Sequence, residues 1–444
     1  MLLPTGYYVA GGVLAVAASF LLLTRVPCKW LRYAEDHSIA LFRVPNVGPF
    51  WPSLVSFVFL CLLLFAGFHG ETDPLANPLV LWVWVLWWVG FTALQCLTGT
   101  LWTVLNPWSG PVELLRNLTG KRKPLLQLPA AIGFLPAIVV FFGFAWFELI
   151  YPAPDDPARL ASVVLTYWCF VFVCILLFGE GIWFSRGEPF FIFFRLIGAC
   201  SPLVRETEEA AGSRSTTQIR LAWPGISFLR MPPLPMSGIL LVLLTLSSVS
   251  FDGLSGTFAW LSFIAVNPLE YPGRSAVTGS NTLGLLSAFL VLSGLFLFSV
   301  YAGCRLVGRQ DVFVKASGQL VYSIIPISLV FHIAHYLTLF LTNVQYAALA
   351  SSDPFGQGWD ILGLHHFHVT TSFLNDIDSV AFIWASQTVI IVSGHIMGIV
   401  IAHMLATRLF GSVTEATRSQ IFLAGLMILY TVFGLWLLST ASIG

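Results

Sequence analysis

Long apolar runs, separated by short polar and basic stretches, recur along the whole chain. They occupy residues 6–24, 50–68, 78–100, 128–150, 158–179, 235–252, 281–304, 316–342, 379–407 and 420–441. Nearly free of charge and close to the ~20 residues that one crossing needs, each predicts a membrane-spanning helix. The fold predicted is all-α, a polytopic bundle of about ten transmembrane helices with interfacial and re-entrant segments between them. Composition agrees with the pattern: of 444 residues, 57% are apolar and 9% charged, with a mean hydropathy of +0.85. No water-facing globular surface carries that balance, so a soluble enzyme, a coiled coil and a disordered chain are excluded. A net charge of zero leaves no overall basic field to hold nucleic acid, and the partner implied is the lipid bilayer.

Local charge sets the orientation. With the first connecting loop placed in the cytoplasm, alternate loops collect 19 of the 21 Lys and Arg residues, and only Arg159 and Arg274 fall on the other side. So strong a positive-inside bias supports ten spans with both termini outward. The opposite face is acidic, with Glu71, Asp73, Asp155, Asp156, Glu270, Asp353, Asp360, Asp376 and Asp378 in outward segments. No basic residue precedes the first apolar run, which predicts a retained helix and not a cleaved signal. All seven cysteines map to helices or cytoplasmic loops, so an exported disulfide framework is not expected.

Several segments do not read as spans. Asn106–Asn117 mixes apolar and polar positions and precedes Lys121-Arg122-Lys123, which predicts an interfacial helix. Gly179–Pro202 combines six bulky aromatics with Glu180, Arg186, Glu188 and Arg195, and is expected to lie on the cytoplasmic interface. Residues 204–234 read as a flexible cytoplasmic linker between an N-terminal half (1–203) and a C-terminal half (235–444) of five spans each. Ser248–Thr257 carries two glycines and leads into apolar Phe258–Ala265, a candidate broken or re-entrant element. The turn-dense loop Ser351–Gly363 has the composition of a lid.

Ionisable side chains inside spans are costly and ask for a reason. The eighth run carries His332 and His335, three residues apart and so on one helix face. The ninth carries Gln387, His395 and His403, the two histidines again sharing a face, with Gly394 and Gly398 marking a close helix approach. Glu148 and Asp252, near the outward ends of the fourth and sixth runs, are the nearest carboxylates from other spans. His332, His335, His395 and Asp252 together would suit Zn²⁺, copper or another borderline divalent metal, with His403, Gln387 and Glu148 as secondary candidates. Two other readings stand beside this one. The histidines could instead bond Tyr336, Gln387 or backbone and hold helices together, or His332 opposite His395 could form an axial pair for haem b. Asp376 and Asp378 read as partners of a helix N-terminus, and His365-His366-x-His368 as an exposed loop.

At Asn106-Pro107-Trp108, Gly179-Glu180, Gly187-Glu188-Pro189-Phe190, Ser248–Gly256, His332–Tyr336, Ser352–Gly363 and Gly394–His403 the chain resembles the bacterial polytopic membrane family called fenitrothion hydrolase. The resemblance implies a multi-pass protein of the bacterial inner membrane and hydrolysis of an aryl phosphotriester. A metal on His332, His335 and His395 would lower the pKa of bound water, and Asp252 would act as the catalytic residue that orients it. A metal or small-solute transporter, with His403 extending the path inward, and a metal-handling subunit of a membrane complex are the competing expectations.

Overall fold

The computed structural model describes residues 5–26, 37–45, 48–120, 123–208, 216–364 and 366–440. Among them are ten helices long and apolar enough to cross a membrane. In chain order these spans are Gly6–Leu23, Phe50–His69, Pro78–Thr98, Ala130–Leu149, Pro157–Phe178, Met236–Ser255, Arg274–Leu306, Gln310–Ser352, Ile377–Phe410 and Ile421–Ser439. The protein is an all-α, multi-pass membrane bundle. Its centre is the sixth span, where 67% of the apolar window is buried against 11% in the first. Spans eight and nine meet closely because Gly394 and Gly398 have no side chain. A Cβ at Gly394 would press on Val330, and one at Gly398 would lie 2.7 Å from the Ser323 carbonyl oxygen.

Two polar caps explain motifs that looked like candidate chemistry. The Asn106 side-chain oxygen accepts from the Trp108 and Ser109 N–H groups at 3.2 and 3.1 Å, which starts the short helix Ser109–Thr119 in the expected interfacial stretch. Ser109 Oγ then donates to Glu180 at 2.6 Å, and Arg116 pairs with the same carboxylate at 3.4 Å. At the start of the ninth span, the Asp376 carboxylate accepts from Ser379 N–H and O–H at 2.9 and 2.7 Å and caps the helix, as expected. Hydrogen bonds from Ser379 hold this carboxyl below the ordinary Asp range.

Three segments differ from the sequence expectation. Gly179–Pro202 does not lie along the interface throughout, because its second helix, Pro189–Gly198, is buried over most of its length. Phe190 and Phe193 pack on Trp88 and Phe141, while a Cβ at Gly198 would touch Thr100, just past the end of the third span. This is a re-entrant helix with its N-terminus deepest. Glu188 makes that burial tolerable, since its carboxylate accepts from the Phe190 and Phe191 N–H groups and from the Tyr167 hydroxyl, satisfying donors that lipid would leave unpaired.

Residues 204–234 are not an unstructured linker: β2 (Leu203–Glu208) and β3 (Thr216–Leu221) form an antiparallel pair. β1 (Ile39–Pro45) adds to β3, giving the sheet order β1-β3-β2. Strands so short, flanked by charge, carry little hydropathy signal. Finally, the sixth helix is not broken at Ser248 but runs to Ser255. After it, Thr257 caps a six-residue helix, Phe258–Phe263, whose Trp260 donates to Asn281 at 2.8 Å.

Candidate functional site

The ends of spans four and six and the middle of span eight bring four ionisable side chains into one line. Tyr336 Oη lies 2.8 Å from Glu148 Oε1 and 2.6 Å from Asp252 Oδ2. His335 Nε2 lies 2.9 Å from the same Asp252 oxygen. Their placement follows from the local sequence. Glu148 and Asp252 are each within one turn of their helix end, and His335 and Tyr336 are neighbours that leave the eighth span about 100° apart.

Hydrogen-bond geometry limits where the protons sit. A phenol carries one O–H, and it cannot donate to two carboxylates at once. Where His335 donates from Nε2, Asp252 Oδ2 is the charged acceptor and Tyr336 donates to it. Glu148 is then protonated and donates to the phenol oxygen; were it ionised, two lone pairs would face each other at 2.8 Å. The arrangement is a directed chain from Glu148 through Tyr336 to Asp252, met from the far side by His335. Asp252 and His335 are both part-covered, with side-chain exposure of 20% and 35%. Glu148 is the other terminus.

A narrow cavity adjoins the chain, lined among others by Trp88, Glu148, Ser248, Asp252, Ser328 and His332. Its free volume of about 10 Å³ is room for roughly one water. The third span shapes its wall. Residues Trp82–Phe91 are wound as a π-helix, a form that recurs at functional sites, and the Trp88 carbonyl accepts from His332 Nε2 at 2.8 Å. The buried Trp88 indole N–H faces the Glu148 carboxyl. Thr245 and Ser248 donate to carbonyls of their own helix at 2.8 and 3.0 Å, and Ser328 donates to Thr245 at 3.3 Å. Several hydroxyl oxygens, an indole N–H and an acid suit a water molecule.

The expected metal set is not assembled. Among the described residues no three His, Cys, Asp or Glu side chains come together in a way that could hold a metal ion. Asp252 and His335 are in direct contact, but His332 spends one nitrogen on a backbone carbonyl. His395 donates from Nδ1 to the Ile391 carbonyl at 2.8 Å and packs against Phe331. As arranged, the described residues bring Asp252 and His335 together without a third His, Cys, Asp or Glu beside them. Gln387 donates to the Ala334 carbonyl at 2.8 Å, a tie between spans. His403 contacts Gln420 at 3.3 Å. His366 and His368 are exposed, as expected of a loop, and His365 lies outside the described residues.

Glu148 was a secondary candidate and proves central. Tyr336 was noted only as a possible histidine partner; its signal was a phenol placed beside His335 in a span whose depth matches both carboxylates. No protein-family model matches the chain, and neither a curated protein nor a solved structure does.

Proposed function

We propose that this chain is a proton-coupled transporter of a bacterial inner membrane, with Glu148, Tyr336, Asp252 and His335 as its proton-binding relay. One observation carries the reading: a single phenol oxygen bridges two carboxylates inside a membrane bundle, an arrangement that holds one exchangeable proton beyond those of the ionised acids. Acid and histidine chains of this kind are how pumps and transporters move protons through lipid. Deprotonating Glu148 turns its hydrogen bond into a repulsion, so the proton count and the packing of spans four, six and eight are linked. Such a link lets a proton gradient drive a change of shape.

The test is proton flux in proteoliposomes carrying an internal pH dye. Wild-type protein is expected to dissipate an imposed gradient faster than empty vesicles, and Tyr336→Phe and Glu148→Gln to abolish the difference. Equal flux in wild type and both variants would refute the reading.

A further inference from the structure

The three-stranded sheet carries its exposed apolar side chains at one end. On β3, Leu221 lies between Ile39 of β1 and Leu203 of β2, while Thr216 at the other end lies opposite Pro45. The register shifts between Ala40 and Phe42, so that Ile39 and Phe42, three residues apart, share a face across from Leu221 and Ile219. Ile39, Phe42 and Leu221 are 66%, 54% and 40% exposed, and Trp223, two residues beyond β3, is 64% exposed. Toward the far end, about 17 Å away along β3, Val44 and Pro45 face Thr217 and Thr216 instead. Large apolar groups left open together mark a surface that something covers.

The apolar end is also the end nearest the spans. The Leu203 carbonyl oxygen would lie 3.3 Å from a Cβ at Gly99, directly after the third span, and Arg205 donates to the Thr98 carbonyl at 3.5 Å. Beyond β3, a Cβ at Gly225 would press on Met397 and Ile401 of the ninth span. In the same turn of that span Gly398 meets the Ser323 carbonyl, where the long helix Ile324–Ser352 of the eighth span begins. Trp223 is thus held near the level at which the third span ends and this helix starts, the depth at which tryptophan collects at a bilayer surface. Charge fits the same surface. Arg220, next to Leu221, and Arg230 share the Glu206 carboxylate at 3.7 and 3.6 Å, and two guanidinium groups on one acid suit anionic headgroups. A protein strand pairing with β1 would cover its whole edge, whereas the large exposed apolar groups of β1 stop at Phe42.

We infer that this end of the sheet is a membrane-docking element: Ile39, Phe42, Leu221 and Trp223 rest on lipid at the boundary between headgroups and acyl chains. The sheet joins the segment between spans one and two to the segment between spans five and six. Seating it on the bilayer holds both segments at the membrane surface. The re-entrant helix Pro189–Gly198 leads into β2, so the docked sheet also fixes the level at which that helix leaves the bundle.

The experiment uses the full-length chain in vesicles of phosphatidylcholine and phosphatidylglycerol. The photocrosslinking residue p-benzoylphenylalanine is placed, one position at a time, at Phe42, Trp223 and Pro45. Leu290, 58% exposed on the seventh span, serves as the lipid-facing control. After irradiation, mass spectrometry is expected to find the mass of one phospholipid added at Phe42 and at Trp223, as at the control, and none at Pro45. Because the two apolar positions are replaced separately, a fold disturbed by one replacement leaves the other to be read. A crosslink between two copies of the chain at Phe42 and Trp223 would overturn the inference in favour of a dimer face. Lipid added at the control but at neither apolar position would overturn it in favour of a face in water. Equal lipid addition at Pro45 would remove the difference between the two ends on which the inference stands.

Discussion

Two buried carboxyl groups in this bundle each meet a tyrosine, and they are built differently. Glu188 lies at the deep end of the re-entrant helix, where its carboxylate receives two backbone N–H groups besides the Tyr167 hydroxyl. Glu148 instead meets a phenol that is shared with a second acid, and the Trp88 indole beside it. Backbone donors cannot change their proton count, so Glu188 is locked into one role, that of a helix cap. A partner that is itself bonded to a titratable group can change, so Glu148 is poised for exchange. What distinguishes a structural from a functional buried acid here is the identity of its partners.

That contrast can be broken in four places. The largest effect is expected at Tyr336: Tyr336→Phe leaves the two carboxylates without a bridge and should cut proton flux about 100-fold, equivalent to about 2.7 kcal/mol, as measured with the pH dye. Glu188→Ala should act the other way. Removing the cap and stranding the Tyr167 hydroxyl should lower stability by about 2 kcal/mol, seen as a lower midpoint of thermal unfolding in detergent, while the Glu148 carbonyl band stays where it is. Asn106→Ala removes a cap at the interface and should cost about 1 kcal/mol in the same assay, again with normal flux.

The smallest effect belongs to Asp376, an exposed cap. Its carboxyl is held below the usual Asp range by Ser379, so its contribution to stability is present above the ordinary carboxylate pKa and is lost as pH falls through the depressed one. Asp376→Asn should flatten only that acidic limb of the stability profile, measured by thermal unfolding across pH. If Glu188→Ala altered flux as much as Tyr336→Phe, the distinction between the two acids would fail.

The ten spans were legible because hydropathy and the distribution of Lys and Arg are long, additive signals. Position along the helix was legible too: Glu148 and Asp252 were singled out by their place near helix ends, where the structure puts both against Tyr336. Direction around each helix was not. His395 turns toward Phe331 of the eighth span, and nothing local in the sequence encodes which neighbour a helix face will meet. His332 bonds a backbone carbonyl of another span and His395 one of its own helix. The re-entrant helix Pro189–Gly198 escaped because its aromatics read equally well as interface anchors. Only the satisfied cap at Glu188 permits it to be buried, and that satisfaction depends on Tyr167 in another span.

The central claim is that Glu148 carries a proton donated to Tyr336. Infrared spectra of the protein in H₂O and D₂O test it most directly. The account expects a carboxylic-acid carbonyl band at neutral pH that shifts in D₂O, disappears in Glu148→Gln and moves in Tyr336→Phe. A wild-type spectrum with no such band, or one unaffected by Glu148→Gln, would contradict it.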